Sequence, residues 1–333
     1  MLHCAIIGGG FIGAVHAAAV SKIETCKLVA ICDINEDAGR KVAGEYGCKF
    51  YADAGEMLGK ETIDIVQVCL PTFLHEKYVL LAAQHQKHVL CEKPFALSVE
   101  AAQRMADACE KANVKLMVAQ AVRWWPEFME IKKLYDQGAF GEMHMVHSSR
   151  LAQHPNWSTW HRDPQKSGGS LFDLNMHNLD YLHFLLGPVA SVYAVGWKSP
   201  SGCWNHVCAS LTFKNGVNVQ AEGCSEMIGN YPFSASFRAT GDEGTLDYRL
   251  QAGFNIENLG AATNKLMLFE KDKEPVEVTW EAGDGFQLEL EAFANSVETG
   301  KPVPILPEDS VYIIKIIEAI QRSLETGKTE HIQ

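Results

Sequence analysis

The chain has 333 residues, 47% of them hydrophobic and 21% charged, which is the composition of a soluble globular protein with room for two cores and excludes a disordered or fibrous one. Its formal net charge of -12, with no basic stripe, argues against a nucleic acid or an anionic membrane surface as partner. No apolar run reaches the roughly 18 residues of a membrane-spanning helix, and none of the 10 cysteines lies in a Cys-x-x-Cys pair, so reduced, buried thiols are expected and neither disulfides nor a zinc site.

In chain order, Leu2 to Ile7 reads as an apolar strand with no basic flank or long apolar region of a signal peptide, which together with the reduced cysteines implies a cytoplasmic location. Gly8-Gly9-Gly10-Phe11-Ile12-Gly13 follows at once and opens a helix, Ala14 to Ser21. A Gly-x-Gly-x-x-Gly between strand and helix is the setting in which the motif binds a dinucleotide. Gly8 permits the tight turn, Gly10 lets the backbone approach a pyrophosphate, Gly13 allows close helix–strand packing, and the phosphates meet the helix N-terminus. The next strand, Leu28 to Cys32, ends in Asp33, where a carboxylate accepts hydrogen bonds from the adenosine ribose. A 2′-phosphate would be repelled there, and Ile34 and Asn35 supply no cation, so NAD is preferred over NADP. Arg40 and Lys41 read as solvated helix residues.

Strand and helix then alternate, the pattern of parallel βαβ units. Asp64 to Leu70 is a strand broken by Pro71-Thr72 before a helix, His75 to His85, and His75 at its start either faces the cofactor crevice or is an ordinary helix-start polar residue. The strand Lys87 to Cys91 closes on Glu92-Lys93-Pro94. Ligands of open parallel sheets lie outside the carboxyl ends of the strands, so the Lys93 ammonium points at the bound cofactor; the plain alternative is a surface lysine before a strand-ending proline. Ser98 caps a helix, Val99 to Ala112, and Val114 to Ala119 is a further strand.

Near Arg123-Trp124-Trp125-Pro126 the rhythm changes, and the domain boundary is placed at residue 122: a dinucleotide-binding domain over 1–122 and a substrate domain over 123–333. After the helix Glu127 to Gln137, strands dominate: Met143 to Ser149, Val207 to Phe213, Val217 to Ala221 and Ser234 to Ala239. Lys214-Asn215-Gly216 between two of them is a hairpin signal. The fold class is therefore α/β, a doubly wound parallel sheet followed by an α/β domain with a large, mostly antiparallel open sheet. Arg123 either bonds substrate or pins the domains, with the structural role ranked higher.

From Ser170 to Leu186 the chain reads as one helix stopped by Gly187-Pro188. On it Asp173, His177 and Asp180 project from one face, where a carboxylate one turn from an imidazole fixes its tautomer and raises its pKa, as a general base requires. An ordinary surface Asp–His pair has the same spacing. A metal ion is not expected there, because no fourth ligand is evident. The preceding stretch contains Trp157, Trp160, His161 and Arg162, residue types that stack on a sugar ring or bond its hydroxyls, or that anchor a loop to the core.

Taken together, Gly8 to Gly13, the Pro71-Thr72-Phe73-Leu74-His75 turn, Glu92-Lys93-Pro94, and Gly168-Gly169 through Asp173-x-x-x-His177-x-x-Asp180 resemble the Gfo/Idh/MocA oxidoreductases along nearly the whole chain. The resemblance implies a Rossmann domain contacting cofactor through its glycine loop, Asp33, Pro71, Thr72, His75, Glu92 and Lys93. It also implies a homodimer or homotetramer formed through the open sheet, and Lys93, Asp173 and His177 beside the nicotinamide. The expected activity is hydride transfer between a secondary alcohol of a sugar or cyclitol and NAD. The alternatives left open are a glycosidase that keeps NAD bound and a non-catalytic sugar sensor.

Overall fold

The computed structural model describes residues 1–154, 160–252 and 263–332. In chain order its elements are β1 (Leu2–Ile7), α1 (Phe11–Ser21), β2 (Cys26–Cys32), α2 (Glu36–Tyr46), β3 (Lys49–Tyr51), α3 (Ala54–Lys60), β4 (Ile65–Val68), α4 (Thr72–Gln84), β5 (His88–Glu92), α5 (Val99–Lys111) and β6 (Leu116–Ala119). After a 3-10 turn at Ala121–Trp124 come α6 (Pro126–Asp136), β7 (Met143–Leu151), a second such turn at Trp160–Arg162, α7 (Pro164–Ser167), α8 (Ser170–Asp173) and α9 (Asn175–Leu186). The chain continues with β8 (Val189–Lys198), β9 (Trp204–Phe213), β10 (Asn218–Cys224), β11 (Ser234–Gly241), β12 (Gly244–Gln251), β13 (Thr263–Glu270), β14 (Val276–Val278), α10 (Gly285–Thr299), α11 (Pro307–Thr326) and β15 (Glu330–His331).

These elements sort into two compact units, Met1–Trp125 with Gly283–Ile314, and Pro126–Ala282 with Lys315–Gln333. The first crossing thus falls at Trp125 rather than after 122, and a late segment returns to the first unit instead of staying with the second. The reason is apolar burial. Leu290, Phe293 and Ala294 of α10, with Val303 and Ile305 beyond it, share one core cluster with Ala17 and Val20 of α1 and Ile6 and Ile31 of the sheet. Full burial of each large side chain contributes about 1.5–3 kcal/mol. Polar ties fix the ends: Lys22 Nζ meets Asp284, the N-cap of α10, at 2.7 Å, and Lys115 Nζ donates to the Gly300 and Lys301 carbonyls just past its C-terminus, where a cation suits the helix dipole.

The sheet of the first unit has six strands in the order β3-β2-β1-β4-β5-β6, every pair parallel. Strand order reverses between β1 and β4, so the crevice beyond their carboxyl ends is the expected ligand position. Ser98 caps α5, its side chain accepting from Ala101 N, as the sequence predicts, and Asn35 and Asp53 cap α2 and α3 in the same way.

The second unit is built on nine strands in the order β14-β13-β12-β11-β7-β10-β9-β8-β15, with β10–β7 a parallel pair and the other pairings antiparallel. Lys214-Asn215-Gly216 joins β9 to β10, as expected of that tripeptide. Beneath the sheet Phe128 of α6 packs edge-on against Tyr181 and Tyr248, at 4.8 and 5.3 Å between ring centroids. Tyr248 donates to Glu127 Oε1 at 2.9 Å and Tyr181 to the Phe128 carbonyl at 2.7 Å. Arg150 lies over Phe128, and burial lowers its pKa to about 10 against the opposing pull of Tyr248 and Glu127. No helix among the described residues is long and apolar enough to cross a membrane, and all ten cysteines are free thiols.

Candidate functional site

At the carboxyl end of β1 the backbone takes a path that only glycine allows. Gly8 has φ of +109°, and a Cβ there would lie 2.1 Å from the Cys69 carbonyl oxygen, while a Cβ on Gly13 would lie 1.8 Å from that of Gly8. The space a Cβ would take on Gly10, by contrast, is open to 4 Å. Helix α1 starts there with no side-chain cap and no acidic residue in its first turn, so its N-terminal N–H groups and dipole are left for an anion. Phe11 and Ile12, exposed and half-buried, stand at this opening. A dinucleotide pyrophosphate fits this cradle.

Asp33 accepts from Gly9 N at 2.5 Å through Oδ2 and from Asn35 N at 2.7 Å through Oδ1. It therefore clamps the glycine loop to the end of β2, a task the sequence did not reveal, while its remaining lone pairs suit ribose hydroxyls. Ile34 is exposed and Asn35 is spent capping α2. Arg40 is committed to Glu36 at 2.9 Å and lies over the Phe50 ring.

The carboxyl end of β5 rests on a buried polar network. Glu92 is 4% exposed; its Oε1 faces His16 Nε2 at 3.0 Å and its Oε2 accepts from Lys93 N at 2.9 Å. His16 Nδ1 lies 2.7 Å from Gln67 Oε1. Burial alone works against an imidazolium, but Cys69 and Glu92 beside it outweigh burial and raise the His16 pKa well above its ordinary value. The Cys69 thiol is itself pushed up by burial, with His16 pulling the other way. Lys93, half-buried, thus leaves the sheet from a backbone N–H anchored to a carboxylate that is anchored in turn to α1.

His75 departs from the cofactor-facing reading. It does not face the crevice but is wholly buried, with Nδ1 2.8 Å from the Pro94 carbonyl and Nε2 2.7 Å from that of Leu70. Burial lowers its pKa, with the Leu70 carbonyl and the Glu92 charge acting the other way. Its task is to tie the turn after β4 to the turn after β5. Pro71 takes the N-cap position of α4, and Thr72 beside it is buried.

Sequence reasoning missed Gln120. It follows β6, whose Ala119 pairs with Glu92, and is 1% exposed, yet neither its Oε1 nor its Nε2 has a hydrogen-bond partner. An unmatched buried polar group costs about 1–3 kcal/mol, and a carboxamide beside the Lys93 strand end is matched by another carboxamide, such as that of nicotinamide. Arg123 is buried in the turn that follows, its N–H donating to the Gln120 carbonyl.

In the second unit the expected single helix is broken. Residues Ser170–Asp173 form α8, Leu174 turns with φ of -106°, and α9 starts at Asn175. The break seats Asn175 on β10, where a Cβ on Gly223 would lie 2.1 Å from Asn175 Oδ1, and Asn178 Nδ2 donates to the Glu222 carbonyl at 3.0 Å. Asp173, His177 and Asp180 therefore do not share one continuous face: Asp180 is 1% exposed, whereas Asp173 and His177 are half-exposed. Asp173 Oδ2 is 3.9 Å from His161 Nε2, and the Trp160 ring stacks on His161 at 3.8 Å. Behind them the Ser167 hydroxyl donates to the His161 carbonyl, and Asn205 Oδ1 accepts from Ser170 N. His154, whose pKa burial and then Arg162 lower against Glu226 and Asp173, belongs to the same cluster. Arg162 is exposed. Trp157 lies outside the described residues.

Residues 2–120 match the model of the Gfo/Idh/MocA oxidoreductase family, NAD-binding Rossmann fold, and residues 132–332 match the model of its C-terminal alpha/beta domain. The chain belongs to this family. Among similar proteins are a D-xylose 1-dehydrogenase (NADP(+)) of Haloferax volcanii, 29% identical over 97% of both chains, and a myo-inositol 2-dehydrogenase of Thermotoga maritima, 25% identical over 100% of this chain and 99% of the other. A levoglucosan dehydrogenase solved with NADH has the same fold, with a TM-score of 0.87 at 23% identity over 100% of this chain and 99% of that one. In this Gfo/Idh/MocA protein the glycine loop, Asp33 and Glu92-Lys93 fall in the half matched by the NAD-binding model, and Asp173 and His177 in the half matched by the C-terminal model.

Proposed function

We propose that this Gfo/Idh/MocA protein is an NAD-dependent dehydrogenase acting on a secondary alcohol of a sugar or cyclitol. The observation that carries the reading is Lys93 at the carboxyl end of β5, its backbone held by a buried carboxylate that bonds His16. The open front of Gly10, the uncapped start of α1 and the unmatched Gln120 carboxamide support NAD as the group held there. Asp33, with no cation at Ile34 or Asn35 and Arg40 tied to Glu36, favours NAD over NADP.

When bound, NAD would accept hydride from the carbinol carbon. The chain's own groups handle the rest: His177 takes the hydroxyl proton and later releases it to solvent, the Lys93 ammonium stabilises charge building on the oxygen, and Asp173 bonds a neighbouring hydroxyl. Trp160, stacked on His161, offers an apolar face to a sugar ring. The free cysteines favour a reducing, cytoplasmic compartment. Tyr193, Val195 and Trp197, 42%, 54% and 50% exposed on β8, favour pairing of chains through the sheet.

The test is NADH formation by purified protein across inositols, aldoses, sugar acids and aryl glycosides, with His177→Ala alongside. NADH accumulating with a polyol or aldose in the parent alone is the expected result. Aglycone released without NADH, or turnover that survives in His177→Ala, would overturn the reading.

A further inference from the structure

The second unit carries a donor cluster unrelated to Lys93, Asp173 or His177. Along β9 burial alternates: Asn205, Val207 and Ala209 are buried, and Asn205 bonds the start of α8, whereas His206 and Cys208 point to the other face. On β10 Ala221 and Gly223 are buried, Gly223 against Asn175, and Glu222 points the other way. The antiparallel register sets Glu222 opposite Cys208 and Cys224 opposite His206. One imidazole, one thiol and one carboxylate are thereby gathered on a single rigid hairpin. Their donor atoms all lie within 4.8 Å of one another, and His206 Nε2 is 2.8 Å from Glu222 Oε1.

We propose that His206, Cys208 and Glu222 form a binding site for a zinc-class divalent cation, with the fourth coordination position left to water. The donor set selects the ion. A thiolate with an imidazole and a carboxylate suits borderline-soft zinc or cobalt, while magnesium and calcium call for an all-oxygen shell. The span also fits, since ligands about 2.0–2.3 Å from one ion lie roughly 3–4 Å from each other, a separation reached by small side-chain rotations from the present one. Two adjacent strands fix all three Cα positions, so the chain is largely pre-ordered for binding. Binding of the metal as a thiolate complex releases the thiol proton. The site lies on the sheet face opposite α8 and α9, the face on which Val195 and Trp197 of β8 stand opposite Cys208 and His206, and is independent of the dehydrogenase reading.

The experiment is titration of the chelator-treated full chain with Co²⁺, followed by the sulfur-to-cobalt charge-transfer band, and then displacement by Zn²⁺. About one Co²⁺ per chain is expected, with the band abolished in Cys208→Ser. Affinity in His206→Ala or Glu222→Gln should fall by at least roughly tenfold, the loss that even an outer partner of a ligand produces. Cys208→Ser is close to isosteric, and its circular dichroism checks that it folds. A band that persists in Cys208→Ser would assign the ion to another cysteine, and no band in the parent at excess Co²⁺ would show that no thiolate site exists; either result overturns the proposal.

Discussion

The charged groups beneath Lys93 and those around Asp173 are held in opposite ways. In the first unit Glu92 and His16 are almost fully buried, each bonded to the other and to one further group, and the backbone of Lys93 hangs from that pair. In the second unit Asp173 is half-exposed, 3.9 Å from a histidine that is itself held by a stacked tryptophan and a serine. One arrangement is set by a low-dielectric interior in which an unmatched charge is very costly, the other by how a short loop and a broken helix pack on a sheet. The first should therefore fail all at once when a partner is removed, and the second should degrade by degrees.

The largest stability effect is expected from the core that α10 completes in the first unit. Phe293 of α10 is wholly buried against α1 and the first sheet, and Phe293→Ala should cost about 3–5 kcal/mol, read as a lower urea midpoint. His16→Ala should cost about 3 kcal/mol by leaving Glu92 buried without its counter-charge. The pH dependence separates the two. The His16 pKa is raised on folding from an unfolded value of about 6.5, so the stabilisation it gives is complete below that pH and is lost as pH rises through the raised folded value. Urea midpoints across alkaline pH should decline in the parent and in Phe293→Ala but not in His16→Ala. A parallel decline in all three would mean that the pair is not an ion pair.

Function should break next. Lys93→Met leaves Glu92, His16 and the Lys93 backbone N–H in place, so the fold and NAD affinity should hold while kcat falls by roughly 10²-fold or more, the scale of one lost electrostatic donor. Single-turnover NADH formation, with NAD binding measured separately, reads this. A loss confined to NAD affinity would make Lys93 a cofactor ligand alone.

The difference between the units also explains what could be read in advance. The glycine loop, Asp33, the Ser98 cap and the order of strand and helix were legible because each rests on contacts within a few residues or one βαβ unit. His16 and His75 were misplaced or missed because periodicity does not say which side of an apolar helix meets the sheet; α1 and α4 are apolar on more than one face, and both histidines point inward. Gln120 gave no signal beyond its place after a strand. The return of α10 to the first unit depends on a core assembled from both ends of the chain. The break at Leu174 was invisible because the apolar spacing from Ser170 to Leu186 runs through it, and Gly223, against which Asn175 packs just after the break, lies far along the sequence.

That distant contact provides the finest test of the contrast. Gly223→Ala puts a methyl 2.1 Å from Asn175 Oδ1, so α9 must shift or Asn175 must turn away, and overpacking of this kind costs about 1–3 kcal/mol. Asn175 and Asn178 seat the first turn of α9 on β10, and His177 lies between them. The displacement therefore reaches His177 while leaving every group of the first unit untouched. NAD affinity should be unchanged and kcat should fall by less than in Lys93→Met, with intermediate values in double variants that trim Asn175 to Ala and relieve the clash. If Gly223→Ala lowered stability by the expected amount but left turnover intact, His177 would not depend on the seat of α9 on β10, and the site of the second unit would be more rigidly built than its half-exposed groups imply.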